Sequence, residues 1–252
     1  MRGLAIACLF SGSVSAIEIS SAAQAVDIAG KQRMFTQRML KNYAMVGMKN
    51  TYGKPDEDLK KISSDFEDAL TALQAYAKND DTKQSLEKVK TLWKPLKVTL
   101  SQEATKEKVG KLQEDLEALL KAANTSTQLF AKESGSASGA IVNMSGRQRM
   151  LSQRMAGLYM IKVWGVDDPQ FKIKMDKAME LFKTSMVELE KSELNTEEIS
   201  KLLTKVNRSF MFFEMMNKSK SKYVPTLISK KSNDILKNMN SATQAYVALE
   251  TK

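Results

Sequence analysis

The strongest constraint on this chain is that it states one pattern twice. Ile28-Ala29-Gly30-Lys31-Gln32-Arg33-Met34-Phe35-Thr36-Gln37-Arg38-Met39 recurs as Met144-Ser145-Gly146-Arg147-Gln148-Arg149-Met150-Leu151-Ser152-Gln153-Arg154-Met155, at an offset of 116. Tyr43 and Tyr159, Phe66 and Phe182, Leu73 and Leu189, and Asn79 and Asn195 keep the same offset, and so do Asn124 and Asn240 near the ends. One offset held throughout indicates duplication of a whole domain, because chance likeness of two helices would lose register. Ser134-Gly135-Ser136-Ala137-Ser138-Gly139 lies between the copies and reads as a flexible joint or a break between two long helices. The expected organisation is a leader over residues 1–16, a first copy over 17–133 and a second over 134–252.

Each copy reads as four helices. Lys, Leu, Met, Ala and Glu are plentiful, against only 4 Pro and 11 Gly, and no useful stretch alternates with a period of two. Gly53-Lys54-Pro55 and the stretch from Gly165 to Pro169 should end the first helix of each copy. Phe66, Leu70 and Leu73 mark the second helix, which should stop near Asn79; Asn195-Thr196 is the matching turn. Leu92 and Trp93, and in the second copy Phe210, Phe212 and Met215, belong to the third, which Pro95 should kink or shorten. The fourth is expected from about Glu103 to Lys132 and from about Pro225 onward. The fold class is all-α: two tandem four-helix bundles related by an internal repeat.

Several chemistries are excluded. The chain has no histidine, so it has no Ser-His-Asp triad, no histidine base and no histidine metal site. Its one cysteine, Cys8, excludes a disulfide framework. Arg2, the apolar run Leu4 to Phe10 and the small residues ending at Ala16 form an export signal, cut after Ala16 or, alternatively, near Ala25. A lipid anchor on Cys8 is disfavoured by the short stretch before it. No other segment offers a membrane span, so the mature, exported chain is expected to have none. The net charge of +10 attracts anions, nucleic acid or acidic membrane surfaces alike; nucleic acid is not expected as a partner outside the cytoplasm. Lys218, Lys220, Lys222, Lys230 and Lys231 concentrate part of that charge. The 16 methionines are spaced as core filler rather than as a copper site, and Met211, Met215 and Met216 sit among packing phenylalanines. Trp93 and Trp164 are expected to pack within a bundle or at its end.

A helical projection divides the repeated motif into two faces. Ile28, Phe35, Met39, Tyr43 and Val46 form one, expected to be the bundle core, and Gly30, Arg33, Gln37, Leu40 and Ala44 lie opposite, facing outward. Gly146, Arg149, Gln153 and Ala156 repeat the outward set. Glycine inside a helix costs about 1 kcal/mol relative to alanine, which makes sense where a backbone or ligand approaches closely. An arginine one turn away offers a planar, permanently charged fork suited to an oxyanion. The face therefore reads as half of a contact site that a second copy would complete; Arg38 and Arg154 point elsewhere and rank second.

The two motifs closely resemble the signature of PilJ/NarX-like sensor domains, the extracytoplasmic parts of type IV pilus chemotaxis transducers and nitrate/nitrite sensor kinases. The resemblance implies a periplasmic four-helix bundle. It also implies that the arginine before Met, here Arg33 and Arg149, grips one nitrate across a two-fold axis, with Gly30 and Gly146 beside the anion. Family receptors carry membrane helices and an output module, which are not expected in this chain, so a separate membrane receptor or transducer is the expected partner. Two joined copies suggest an intramolecular pseudo-dimer, the alternative being pairing of like copies in a homodimer. The expected function is binding of a small oxyanion, nitrate or nitrite first, through Arg33, Arg149, Gly30, Gly146, Gln37 and Gln153. No cofactor, metal or enzymatic activity is expected. The competing expectation is a non-sensing module that docks a pilus, chemoreceptor or envelope protein through the arginine face.

Overall fold

A computed structural model describes residues 17–218 and 224–249. The expected leader with Cys8, together with Lys220 and Lys222, lies outside the described residues. Within them there are eight helices and no strand: α1 (Ala22–Gly47), α2 (Pro55–Tyr76), α3 (Asp80–Ser101), α4 (Lys106–Ser134), α5 (Ala137–Val163), α6 (Phe171–Glu190), α7 (Glu197–Lys218) and α8 (Pro225–Ala248). None of these is long and apolar enough to cross a membrane.

Local sequence sets the boundaries. The Ser21 hydroxyl caps α1 by accepting from the Gln24 amide. Pro55 opens α2, followed by Asp56, Glu57 and Asp58, which suit the positive end of the helix dipole. Asn79 caps α3, and the Thr196 hydroxyl accepts from Ile199 at the start of α7. The expected joint between the copies is a sharp break: Gly135 takes a left-handed conformation (φ 61°) and Ser136 caps α5. Pro95 does not shorten α3, which continues to Ser101. One missing backbone donor is outweighed by burial of Leu96 and Leu100 on the turns beyond it.

The helices form two tandem bundles, α1–α4 and α5–α8, with α1 and α5 at the centre. α1 packs on α2 and α4, α5 packs on α6 and α8, and α1 and α5 pack on each other. The face expected to point outward is therefore buried: Gly30, Arg33, Gln37, Leu40 and Ala44 all lie inside, against the second copy. A helix apolar on one face and polar on the other normally exposes the polar one; here the matching polar face of α5 covers it. The repeated tyrosines tie each fourth helix to its first. The Tyr43 hydroxyl accepts from the Thr105 amide at 3.1 Å, and the Tyr159 hydroxyl accepts from the Val224 amide at 2.9 Å. Aromatic pairs fill the bundles, Phe66 on Trp93 at 4.5 Å and Phe182 on Phe210 at 4.3 Å. Trp164 ends α5 and covers Gly47 at the end of α1. Met211 and Met215, expected to pack, are 64% and 59% exposed; Phe210 and Phe213 bury themselves instead.

Candidate functional site

Where α1 meets α5, four of the singled-out residues converge. A β-carbon added to Gly30 would stand 3.3 Å from Arg33 Nη2 and 3.4 Å from Arg149 Nη2. One added to Gly146 would stand 3.1 Å from Arg149 Nη2 and 3.4 Å from Arg33 Nη2. The two guanidinium tips thus lie side by side over the paired glycines, and any side chain there would crowd them. Both arginines are fully buried. Each donates through Nη1 to a matched asparagine: Arg33 to Asn124 Oδ1 at 2.9 Å and Arg149 to Asn240 Oδ1 at 3.2 Å. Each also donates through Nη2 to a carbonyl of the opposite copy: Arg33 to Asn143 at 3.2 Å and Arg149 to Asp27 at 3.4 Å. Among the described residues neither Nε has a hydrogen-bond partner. The arrangement obeys the offset of 116 at every one of these positions, so it is a pseudo-two-fold pair within one chain.

The symmetry fails at one position. Asp27 Oδ1 lies 2.7 Å from Arg149 Nη2, and its Oδ2 lies 3.0 Å from Lys31 Nζ and accepts from Gln244 at 2.7 Å. Burial by itself would raise the Asp27 carboxyl, but Arg149 and Lys31 outweigh it and hold the group below the ordinary carboxylate range. The equivalent position beside Arg33 is Asn143, whose buried Oδ1 has no partner. Arg33 makes no ion pair among the described residues. Its ionisation is pushed down to about 9, mainly by burial, with the charges of Arg147 and Arg149 adding to the effect. A buried guanidinium without a counter-ion is costly, and at this end the protein leaves that cost in place. On the other side of Asp27 a cleft of about 510 Å³ opens, lined in part by Lys31, Arg38, Asn240 and Gln244.

Gln37 and Gln153 do not join the arginines. They form a second polar layer about one turn further along. Gln37 Nε2 donates to Thr36 Oγ1 and its Oε1 receives Arg154 at 3.5 Å; Gln153 donates to the Ser232 carbonyl and its Oε1 receives Lys41 at 2.7 Å. The secondary arginines are structural ion pairs: Arg38 grips Asp58 with two bonds, and Arg154 meets Glu117. Asn124 and Asn240, which the repeat had singled out only as markers of register, are the arginine acceptors.

Among the described residues no group of acidic, histidine or cysteine side chains could hold a metal. What the centre offers is two fixed cationic forks and unpaired donors, buried between the helices, a setting that attracts an anion. No curated protein and no solved structure matches the chain. A family model does, twice: the type IV pili methyl-accepting chemotaxis transducer N-terminal model covers residues 18–133 and again 129–209. That family is one of sensor domains rather than catalysts. The chain, carrying two copies of the domain in tandem, belongs to the PilJ family of chemotaxis-transducer N-terminal domains.

Proposed function

We propose that this protein is a periplasmic sensor module that binds one small oxyanion, nitrate or nitrite first, between α1 and α5. The bound state would pass to a membrane-embedded transducer. The observation that carries the proposal is the buried Arg33–Arg149 pair, symmetric in its backbone and asparagine contacts and balanced by a single carboxylate. A planar oxyanion accepts from guanidinium forks in their own plane, and the two glycines leave room for the forks to lie together. Binding would replace repulsion between the two cations by a shared counter-ion. A small shift of α1 against α5 is the kind of motion a packed bundle transmits to its ends.

The units of this module are residues 17–133 and 134–252, a division supported by the left-handed turn at Gly135. Export is supported by the leader sequence. Cleavage after Ala16 would leave α1 whole; cleavage after Ala25 would remove the Ser21 cap and the buried Ala23 and Ala25. Docking of a pilus or envelope protein through the arginine face is the weaker alternative, because α1 and α5 would have to part to expose it.

Titration calorimetry with nitrate, nitrite and chloride tests the proposal. The expected result is one oxyanion site per chain, lost in both Arg33→Ala and Arg149→Ala. Unchanged nitrate affinity in the two variants would remove the arginines from the site. Absence of binding by any small anion would remove the ligand altogether.

A further inference from the structure

The departure from symmetry at Asp27 and Asn143 deepens that proposal and rests on it. We infer that Asp27 is a built-in counter-ion that fixes the charge of the ligand. With Arg149 already paired to Asp27, the site takes a single monovalent oxyanion, seated toward Arg33 and Asn143, and discriminates against divalent oxyanions such as sulfate.

Three observations carry the inference. Counting only buried groups, the centre contains two guanidinium groups and one carboxylate, one positive charge in excess; Lys31 and Arg147 at its edge are partly exposed, and solvent screens them. The excess sits at one end. Beside Arg149 the cluster holds Asp27 and Lys31 in mutual contact, whereas beside Arg33 the matched positions are Asn143 and Arg147, and no carboxylate of the described residues pairs with it. Both arginine Nε atoms lack a hydrogen-bond partner among the described residues, so what sets the Arg33 end apart is the neutral amide of Asn143 in place of a carboxylate. An amide at this position can present its NH2 to an anion, whereas a carboxylate cannot. Finally, Asp27 lies between Arg149 and the open cleft, so an anion arriving by that route passes a fixed negative charge. Repulsion from that charge doubles for a dianion, as attraction to the guanidinium groups does, but the cost of taking the ion out of water grows with the square of its charge and so falls harder on the dianion. The discrimination is thus by charge number rather than by shape, since a trigonal and a tetrahedral oxyanion both suit a guanidinium fork.

The test is calorimetry on the full exported chain with potassium nitrate and potassium sulfate, for the wild type, Asp27→Asn, Asn143→Asp and the double exchange. The wild type should bind nitrate and prefer it to sulfate at least tenfold. Asp27→Asn makes the two ends alike and leaves two positive charges, so sulfate should bind at least tenfold more tightly than to the wild type. Asn143→Asp neutralises the centre and should weaken nitrate at least tenfold. The double exchange moves the carboxylate to the other end and should restore the preference for nitrate, which also controls for simple loss of folding in either single variant. If the wild type binds nitrate but Asp27→Asn keeps the same preference, the inference fails while the oxyanion site stands. Equal wild-type affinity for nitrate and sulfate also overturns it. If none of the proteins binds either anion, the site and the inference fall together.

Discussion

Lys41 occupies a position that lysine seldom tolerates. Its ammonium is fully buried between the copies, where it donates to Gln153 Oε1 and Asn233 Oδ1, both at 2.7 Å. Two neutral amides replace water only partly, and burial, with the charge of Arg38 adding and Asp58 opposing, pushes the group down to about 7 from its usual 10.5. The unfolded chain therefore binds more protons at this site than the folded one between those two values. Stability should rise with pH across that window, by at most about 1.4 kcal/mol per pH unit for one group. Arg33 contributes in the same direction only above about 9, so urea midpoints between about pH 7 and pH 8.5 isolate Lys41. Lys41→Met should raise the midpoint at pH 7 and flatten the profile; an unchanged slope would place the proton elsewhere. The sequence carried a signal for this residue. At the offset of 116 its counterpart is Gly157, which packs on the Lys41 backbone, 3.5 Å from an added β-carbon, where the two copies meet.

At the scale of elements, helix ends followed from local chemistry, whereas exposure did not. Pro55, Asn79, Gly135 and Thr196 mark boundaries because caps and left-handed turns depend on neighbours in sequence. Which face of α1 meets solvent depends on α5, more than a hundred residues away, and a projection of one helix contains no information about its partner. The end of α1 shows how tightly the two are fitted. A β-carbon on Gly47 would lie 2.1 Å from the Trp164 ring, which is held in place as the cap of α5 and lies beside Tyr43. Gly47→Ala should destabilise by about 1–3 kcal/mol through overpacking. Gly110, exposed within α4 and with nothing near an added β-carbon, makes the opposite case. Gly110→Ala should stabilise by about 0.5–1 kcal/mol from helix propensity alone. Chemical denaturation of the two variants compares the effects directly, and equal shifts would show that the α1–α5 junction yields more than its packing indicates.

The whole molecule is a pseudo-dimer whose halves are joined, and joining allows them to differ where a true two-fold pair cannot. The motif repeat made the arginine pair legible, because both copies had kept Gly, Arg and Gln at fixed intervals. The counter-ion is not legible in the repeat, although Asp27 stands directly before the motif and maps onto Asn143, because the repeat marks the positions that stayed alike and not the one that changed. The difference gives matched substitutions opposite signs. Arg33→Met removes a buried charge that has no ion pair and exchanges it for apolar volume, which should stabilise the ligand-free protein by about 1–3 kcal/mol. Arg149→Met leaves the Asp27 carboxylate buried with only Lys31 and Gln244, which should destabilise by about 3 kcal/mol or more. Both variants should lose the stabilisation that nitrate gives the wild type, about 2.7 kcal/mol at a hundredfold excess over Kd. Thermal unfolding with and without nitrate separates these terms. Equal and same-signed effects of the two substitutions would mean that the charge of Asp27 is not felt at Arg149. Opposite signs, with the nitrate response absent from both, would show that this site gives up stability at Arg33 to keep an anion seat that needs both guanidinium groups, only one of which is paired in the ligand-free protein.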